Sequence, residues 1–408
     1  IKKLKRRILP VLKDHLNYIH QTKYNADFWN IYLGTWLENF LHVIYDRWIY
    51  TDKIKREENF NTQNLKFDKN ILIPNETIDS KLLWENELWN HNLLLSIIQY
   101  RFEKKIKKLF SRKIKKNIII KIKKSRAERL FKKKNFILFI LAKLFKPKKK
   151  NKLIFLDNFN YKFQLSTFFK IFKIPIFISL VPILDRKLDL NIRNKKLSFN
   201  YHGEFEKFLS KTIPKNLPLS SIENFKKHIN HKFNISYTSK NYVVSNFWAL
   251  NDLYKIHLAL NKNSNKIFLQ HGGVYGQIKY NISELNEIEI SDYFLTWGWS
   301  KSLKSKYTQK KDSKKIIDFY STLIKNKKYE PEKNNNKILI ILDNIPEFNT
   351  ENSSKYNSIT YKNYLQDIIK FIDNLKQGLK SKIIVRLYFQ DYNKDIFNIL
   401  KNKFPQIS

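Results

Sequence analysis

The chain has 408 residues and no cysteine, which excludes a disulfide framework, a thiolate metal site and a cysteine nucleophile. A hydrophobic content of 42% and an aromatic content of 15% are typical of globular chains and exclude general disorder. The formal net charge of +42 is compatible with nucleic acid or an anionic membrane as partner, but Lys, Asn and Ile are abundant throughout, and we attribute most of the charge to AT-rich coding bias.

The first hundred residues are predicted to be mainly helical, with clear helices over residues 27–50 and 81–100. In the first of these, Asp27 is the expected N-cap, and large apolar residues recur at helical spacing: Trp29, Leu33, Trp36, Phe40, Ile44 and Trp48. The opposite stripe carries Glu38, His42 and Asp46, which are four residues apart and therefore project from one face. Buried polar groups need partners, so the stripe is either a structural hydrogen-bond network or a substrate-binding surface.

Residues 101–152 form a basic insertion that contains 23 Lys or Arg and only two Glu. Apolar residues recur between the basic ones, and we predict basic amphipathic helices. Such helices bind an anionic membrane surface or nucleic acid in some proteins. The alternative is a lysine-rich insertion that is solvated and has no binding role. The apolar run Phe136–Phe145 beside Lys146–Lys150 favours the membrane surface. That run is far shorter than the roughly 20 residues needed to span a bilayer.

From residue 153 onward, strands and helices alternate, which predicts an α/β fold with a Rossmann-like sheet. Strands are predicted over 153–156, 176–181, 242–244, 266–269, 292–299 with its closing turn, 337–342 and 382–387; helices are predicted over 163–172, 203–211, 219–231, 251–261 and 361–375. The polar stretch 325–336 has the composition of a linker. We therefore predict one domain over 1–330 and the beginning of a second Rossmann-like domain over 337–408.

The segment Lys266–Gly276, KIFLQHGGVYG, carries the strongest signal for a functional site. The chain has seven glycines, and three of them lie here. A buried strand that ends at Gln270-His271-Gly272-Gly273 places an imidazole at the carboxyl end of a sheet, where open α/β sheets bind their ligands. The alternative is a tight turn with a hydrogen-bonded histidine.

Three separated motifs occur in order: Leu33-Gly34-Thr35-Trp36-Leu37 with His42 and Tyr45-Asp46-Arg47, then Gln270–Gly276, then Ser291–Trp299. In this combination the chain resembles the bacterial family of surface-polysaccharide (O-antigen region) transferases. It is similar, more distantly, to the polymerases that transfer glycerol phosphate from CDP-glycerol. The resemblance implies a GT-B fold of two Rossmann-like domains. Because family members are longer at the carboxyl end and this chain lacks an initiator Met, we expect a fragment whose second domain is incomplete and which is inactive alone.

The resemblance implies transfer of a sugar from a nucleotide-activated donor to a growing surface polysaccharide, with the acceptor held mainly by the first domain. An imidazole accepts protons near neutral pH, so His271 becomes the candidate general base. The other candidates are Glu284 to orient His271 or bind a sugar hydroxyl, Gln270, Gly272, Gly273 and Tyr275 to bind substrate, and Arg386 to bind a donor phosphate.

The expected partners are a nucleotide sugar and a polysaccharide or lipid-linked glycan acceptor. No cofactor is expected, and no metal, because no Asp-x-Asp motif follows a strand. We expect a cytoplasmic protein, peripheral at the inner face of the membrane. Nucleic acid is disfavoured because the aromatic residues have core spacing. The rival hypotheses are a phosphoglycerol transferase on the same fold, a non-catalytic scaffold at the membrane surface, and a nucleic-acid-binding protein.

Overall fold

The computed structural model describes the following residues, and every statement about structure concerns them: 1–114, 153–156, 169, 185, 187–230, 239–278, 280–300, 315–321, 336–348, 350, 358–388, 391–392 and 394–407. These residues form a mixed α/β structure in which every strand pair is parallel. The predicted α/β class is therefore confirmed. The strand predicted at 176–181, all but one residue of the helix at 163–172, insertion residues 115–152 and nearly all of the linker lie outside the described residues.

The helices are α1 Lys2–His20, α2 Ala26–Trp29, α3 Thr35–Tyr50, α4 Ser80–Trp84, α5 Glu87–Phe102, α6 Leu190–Arg193, α7 Glu204–Asn216, α8 Phe225–Ile229, α9 Asp252–Leu260, α10 Ile282–Ile290, α11 Ser358–Asp373, α12 Gln377–Lys380 and α13 Ile396–Lys403. The strands are β1 Phe60–Lys66, β2 Ile106–Lys113, β3 Ile154–Phe155, β4 Asn241–Ser245, β5 Asn265–Leu269, β6 Tyr293–Thr296, β7 Ile316–Asp318, β8 Ile338–Ile341 and β9 Ile383–Arg386.

The helix predicted over residues 27–50 is interrupted. A five-residue π-helical turn, Asn30–Gly34, separates α2 from α3. The N-cap of α2 is Asn25, whose side chain accepts a hydrogen bond from the Phe28 N–H, so the prediction of Asp27 as the cap is wrong. The helix predicted over 81–100 is likewise divided, because the Asn86 side chain caps α5 by accepting from two backbone N–H groups.

Residues 106–113 of the basic insertion form strand β2, so the prediction of helix is wrong for that part. β2 pairs in parallel with β1, and the register joins Thr62 to Leu109 and Gln63 to Phe110. Only Ile106 among the residues of β2 is partly buried, and the other seven are exposed. With so little burial, β2 is held by its backbone pairing to β1 and not by an apolar helical face.

The central element is a five-stranded sheet in the order β3-β4-β5-β6-β7. The strands are apolar and largely buried, as expected for a parallel sheet covered on both faces. The amino-terminal helices belong to the same apolar core, which runs from Ile8 on α1 through Trp36 on α3 to Phe268 on β5. The carboxyl ends of β4, β5 and β6 therefore lie side by side at one edge, beside these helices.

Residues 336–407 build a second apolar cluster around α11, α13 and the parallel pair β8–β9. Ile372 and Ile383 are buried in it, and Arg386 is exposed at the end of β9. The strands and the helix predicted here are confirmed, whereas the GT-B arrangement of two domains stays a prediction. Among the described residues, no helix is long and apolar enough to cross a membrane.

Candidate active site

The Gln270 side chain ties the end of β5 to the end of β6. Its amide nitrogen donates to the Gly272 carbonyl at 2.8 Å. Its oxygen accepts from the Trp297 backbone N–H at 2.9 Å and from the Trp299 indole N–H at 2.6 Å. The second and third sequence motifs thus meet through one buried amide, which fixes the turn that presents His271.

Gly276 is the glycine on which this turn depends. Its φ is +74°, in the left-handed region that favours glycine, and a Cβ there would lie 2.7 Å from the Trp299 ring. Gly272 and Gly273 have no such φ, and a Cβ on Gly273 would meet nothing within 4 Å. Gly272 and Gly273 therefore lie in the same turn without needing the backbone freedom of glycine, and Gly273 leaves its backbone open to a ligand.

His271, Tyr275 and Glu287 form a linked group at the carboxyl edge of the sheet. The Tyr275 hydroxyl donates to Glu287 Oε2 at 3.0 Å and lies 3.2 Å from His271 Nδ1. Glu287 Oε1 is 3.7 Å from the same ring nitrogen. Tyr275 and Glu287 are buried, whereas 25% of the His271 side chain is exposed. Buried Tyr275 and Glu287 thus lie on the Nδ1 side of the His271 imidazole, and part of the side chain is exposed to solvent.

This arrangement favours the tautomer of His271 that carries its proton on Nδ1. The Tyr275 hydroxyl has one hydrogen, and it donates that hydrogen to a carboxylate. Its oxygen must then accept from Nδ1–H of His271, so the neutral imidazole presents Nε2 as its basic nitrogen. A carboxylate beside an imidazole stabilises its protonated form, and Glu287 is placed to do so.

Glu287 also connects the site to the end of β4. Its Oε1 accepts from the backbone N–H of Phe247, in the turn that follows that strand. The site therefore draws on three adjacent strand ends: Phe247 after β4, His271 after β5 and Trp297 after β6. The Glu287 carboxylate on α10 is held by hydrogen bonds from Phe247 after β4 and from Tyr275 in the turn after β5.

A buried charged cluster supports the turn at Phe247. Asp252, at the start of α9, accepts from the Thr77 N–H at 2.9 Å and from the Ser220 hydroxyl. Lys255 donates to the Thr77 hydroxyl at 2.7 Å, and its ammonium lies 5.5 Å from the centre of the Phe247 ring. Burial lowers the pKa of Lys255. These contacts hold α9 against the short turns at Thr77 and Ser220 and support the Phe247 turn that follows β4.

Glu284 takes a different place from the one predicted. Its carboxylate accepts from the Gly276 N–H at 3.0 Å, and burial raises its pKa. The carboxylate beside His271 is Glu287, one helical turn further along α10, which sequence reasoning missed. The available signal was the spacing of three between the two glutamates, which places both on one helix face.

Glu38 and His42 form a buried network, and Asp46 lies apart from it. Glu38 is paired with Lys5 at 3.0 Å, and Lys5 also donates to Asn286 at 2.7 Å. His42 Nε2 lies 3.2 Å from the Tyr280 hydroxyl, which connects the first motif to the segment after the second motif. Asp46 pairs with its neighbour Arg47, and 40% of its side chain is exposed. The structure therefore joins two of these three residues to the loop that follows His271.

The fold and the His271 group define an α/β protein with a hydrogen-bonded His–Tyr–Glu group at the carboxyl edge of a parallel sheet. A model of the LIC12162 family of transferases matches residues 1–408, and the chain therefore belongs to that transferase family. Searches of curated proteins and of solved structures gave no significant match. Transferase is thus the class of the protein.

Proposed function

We propose that this transferase moves a sugar or sugar-like group from a nucleotide-activated donor to a hydroxyl of a growing surface polysaccharide. The observation that supports the proposal is the His271–Tyr275–Glu287 group. It presents Nε2 as a base at the strand ends where α/β proteins bind ligands. A basic nitrogen backed by a buried carboxylate suits deprotonation of an acceptor hydroxyl.

In the proposed step, Nε2 of His271 takes the proton of the acceptor hydroxyl. The hydroxyl oxygen forms a bond to the anomeric carbon of the donor. The bond between that carbon and the phosphate oxygen breaks, and the nucleotide leaves with the bonding electrons. Glu287 offsets the positive charge that develops on the imidazole, and Gly273 leaves room for the transferring group beside the backbone.

For the donor, we propose the GT-B arrangement, in which two Rossmann-like domains bind the acceptor and the donor separately. The donor nucleotide binds at the second α/β unit, where the exposed Arg386 at the end of β9 can pair with a phosphate. The acceptor binds on the His271 side, and Gln270 acts through the turn that it fixes. In this proposal the reaction uses no metal: His271 is the base, and Arg386 is the cation that pairs with the donor phosphate.

The test is turnover and binding by the full-length natural protein with UDP-, GDP- and CMP-activated sugars, CDP-glycerol and a short DNA duplex. Release of one nucleotide from one activated sugar, with stabilisation by that nucleotide at moderate salt, is the expected result. Turnover of CDP-glycerol alone would assign the phosphoglycerol reaction instead. Stabilisation by DNA alone, lost on addition of salt, would overturn the proposal.

A further inference from the structure

We propose that the ribbon formed by β1 and β2 docks the protein on an anionic lipid surface through one of its two faces. The two strands carry five basic residues and no acidic residue. The basic residues are Lys66, Lys107, Lys108, Arg112 and Lys113. This inference does not depend on the reaction proposed for His271.

One face of the ribbon is open to solvent. Paired residues in a parallel ribbon point to the same side, so Asn61, Gln63 and Leu65 share a face with their partners Lys108, Phe110 and Arg112. Five of these six side chains are exposed, and Leu65 is partly buried. We call these six residues the ribbon face.

The other face of the ribbon is less open. Two of its six residues, Thr62 and Asn64, are partly buried, and the other four are exposed: Lys66, Leu109, Ser111 and Lys113. Helix α5 packs against β1. The ribbon face is thus the side through which the ribbon can meet a flat surface.

The centre of the ribbon face is an exposed aromatic ring between two cations. Phe110 is 46% exposed, and the Lys108 ammonium lies 4.8 Å from the centre of its ring. Arg112 lies on the same face, two residues after Phe110. An apolar ring flanked by basic side chains suits the boundary between lipid headgroups and acyl chains.

The base of the ribbon is fixed to the body of the protein. Arg101 pairs with Asp52 at 2.6 Å and donates to the Thr51 hydroxyl at 2.6 Å. Lys105 donates to the carbonyls of Lys55 and Glu57 at 3.1 Å and 3.0 Å. Two basic residues are thus used for anchoring, whereas those of the ribbon face remain directed to solvent.

The chemistry of the ribbon face favours lipid over nucleic acid. Platforms for single-stranded nucleic acid stack successive bases on several aromatic rings. The ribbon face has a single ring, Phe110. Four of the five basic residues of the ribbon are lysines, which act as point charges and lack the bidentate geometry used to read bases.

The experiment is co-sedimentation of the full-length protein with vesicles of phosphatidylcholine alone or with about a third phosphatidylglycerol. Binding is expected only to the anionic vesicles. Basic residues near such a surface each strengthen the attraction, so K108E/R112E is expected to weaken binding at least about tenfold. Phe110→Ser is expected to remove the part of the binding that resists salt. Circular dichroism checks that each variant is folded.

The matched control is K66E/K113E, which makes the same change of charge on the opposite face of the ribbon, where Lys66 and Lys113 are paired. A clearly smaller loss than that of K108E/R112E supports docking through the ribbon face. Equal losses would overturn it, because they would show attraction by total charge alone. Absence of binding to anionic vesicles, or tighter binding to a single-stranded oligonucleotide than to vesicles, would also overturn it.

Discussion

The protein contains two groups of the same three side-chain types, with different surroundings. In one, His271 contacts the Tyr275 hydroxyl, which donates to Glu287. In the other, His42 contacts the Tyr280 hydroxyl, which is hydrogen-bonded to Glu38. A quarter of the His271 side chain is exposed, whereas His42 is only 8% exposed.

Burial and a neighbouring cation account for the difference between the two groups. Burial lowers the pKa of His42 to about 4 and, together with Glu38, raises that of Tyr280 to about 12, so both stay neutral near neutral pH. Lys5 already neutralises Glu38 at 3.0 Å. We therefore expect a His–Tyr–Glu series to accept a proton only where its histidine reaches solvent and its carboxylate can offset the new charge.

The largest expected effect is that of His271→Ala on turnover. Loss of the base should lower turnover by about a thousandfold, a typical contribution of general base catalysis. His42→Ala should lower it less than tenfold, because that histidine is neutral and buried. Both are measured as nucleotide release by the full-length protein. Near-normal turnover of His271→Ala, or an equal loss in both variants, would contradict the distinction drawn between the two groups.

The next largest effect is expected at Gly276. Gly276→Ala forces a side chain into a left-handed backbone conformation and into the Trp299 ring, and should cost about 3 kcal/mol of stability. Gly273→Ala is the control, and it should change the free energy of unfolding by less than about 1 kcal/mol, since its Cβ meets nothing. Chemical denaturation of both variants measures the difference. Equal stabilities would show that the turn does not depend on Gly276.

Two isosteric variants separate the glutamates of α10. Glu287→Gln keeps the shape but removes the charge that stabilises the His271 imidazolium, so turnover should fall about tenfold to a hundredfold. Glu284→Gln keeps an oxygen that can accept from the Gly276 N–H and should have little effect. Steady-state kinetics on both proteins test this. A larger loss in Glu284→Gln would restore Glu284 as the residue that orients the base.

The smallest effect is the pH dependence of stability caused by His42. The unfolded chain binds a proton at this residue near pH 6.5, whereas the folded protein does so only near pH 4. Acid therefore favours the unfolded state, and stability is lost as the pH falls from about 6.5 towards 4. Between pH 7 and pH 5, wild type should lose about 2 kcal/mol more than His42→Gln, measured by urea unfolding. Parallel losses would mean that His42 is more accessible than its burial indicates.

Much of the sheet could be predicted from the sequence because its strands are short apolar runs bounded by turns. β5 and β9 lie within a residue of the ranges predicted for them. β2 was predicted as helix, since Ile106, Leu109 and Phe110 have spacings of three and four that also suit a helix. Its partner β1 is mainly polar and gave no alternating pattern. β2 is a strand because it pairs with β1, which lies about forty residues earlier in the chain. A local sequence pattern does not contain information about such a distant partner.

The site could be predicted in part. The position of His271 after a strand could be read from the apolar run and the glycines, but its carboxylate partner could not. Glu284 and Glu287 are equivalent in local sequence, and the choice between them depends on how α10 packs against the turn at Phe247. The role of Gln270 as a link between two strand ends depends likewise on the pairing of β5 with β6.

The π-helical turn Asn30–Gly34 has a consequence for how the length of this chain can vary. A π turn accommodates one residue more than an α-helical turn, because its hydrogen bonds span five residues instead of four. Deletion of a single residue there would yield a continuous α-helix while leaving both ends in their present orientation. Glu38 and His42 would still face Lys5 and Tyr280. Homologues one residue shorter in this turn are therefore compatible with the same buried network, whereas a deletion within α3 itself would rotate that network away from its partners.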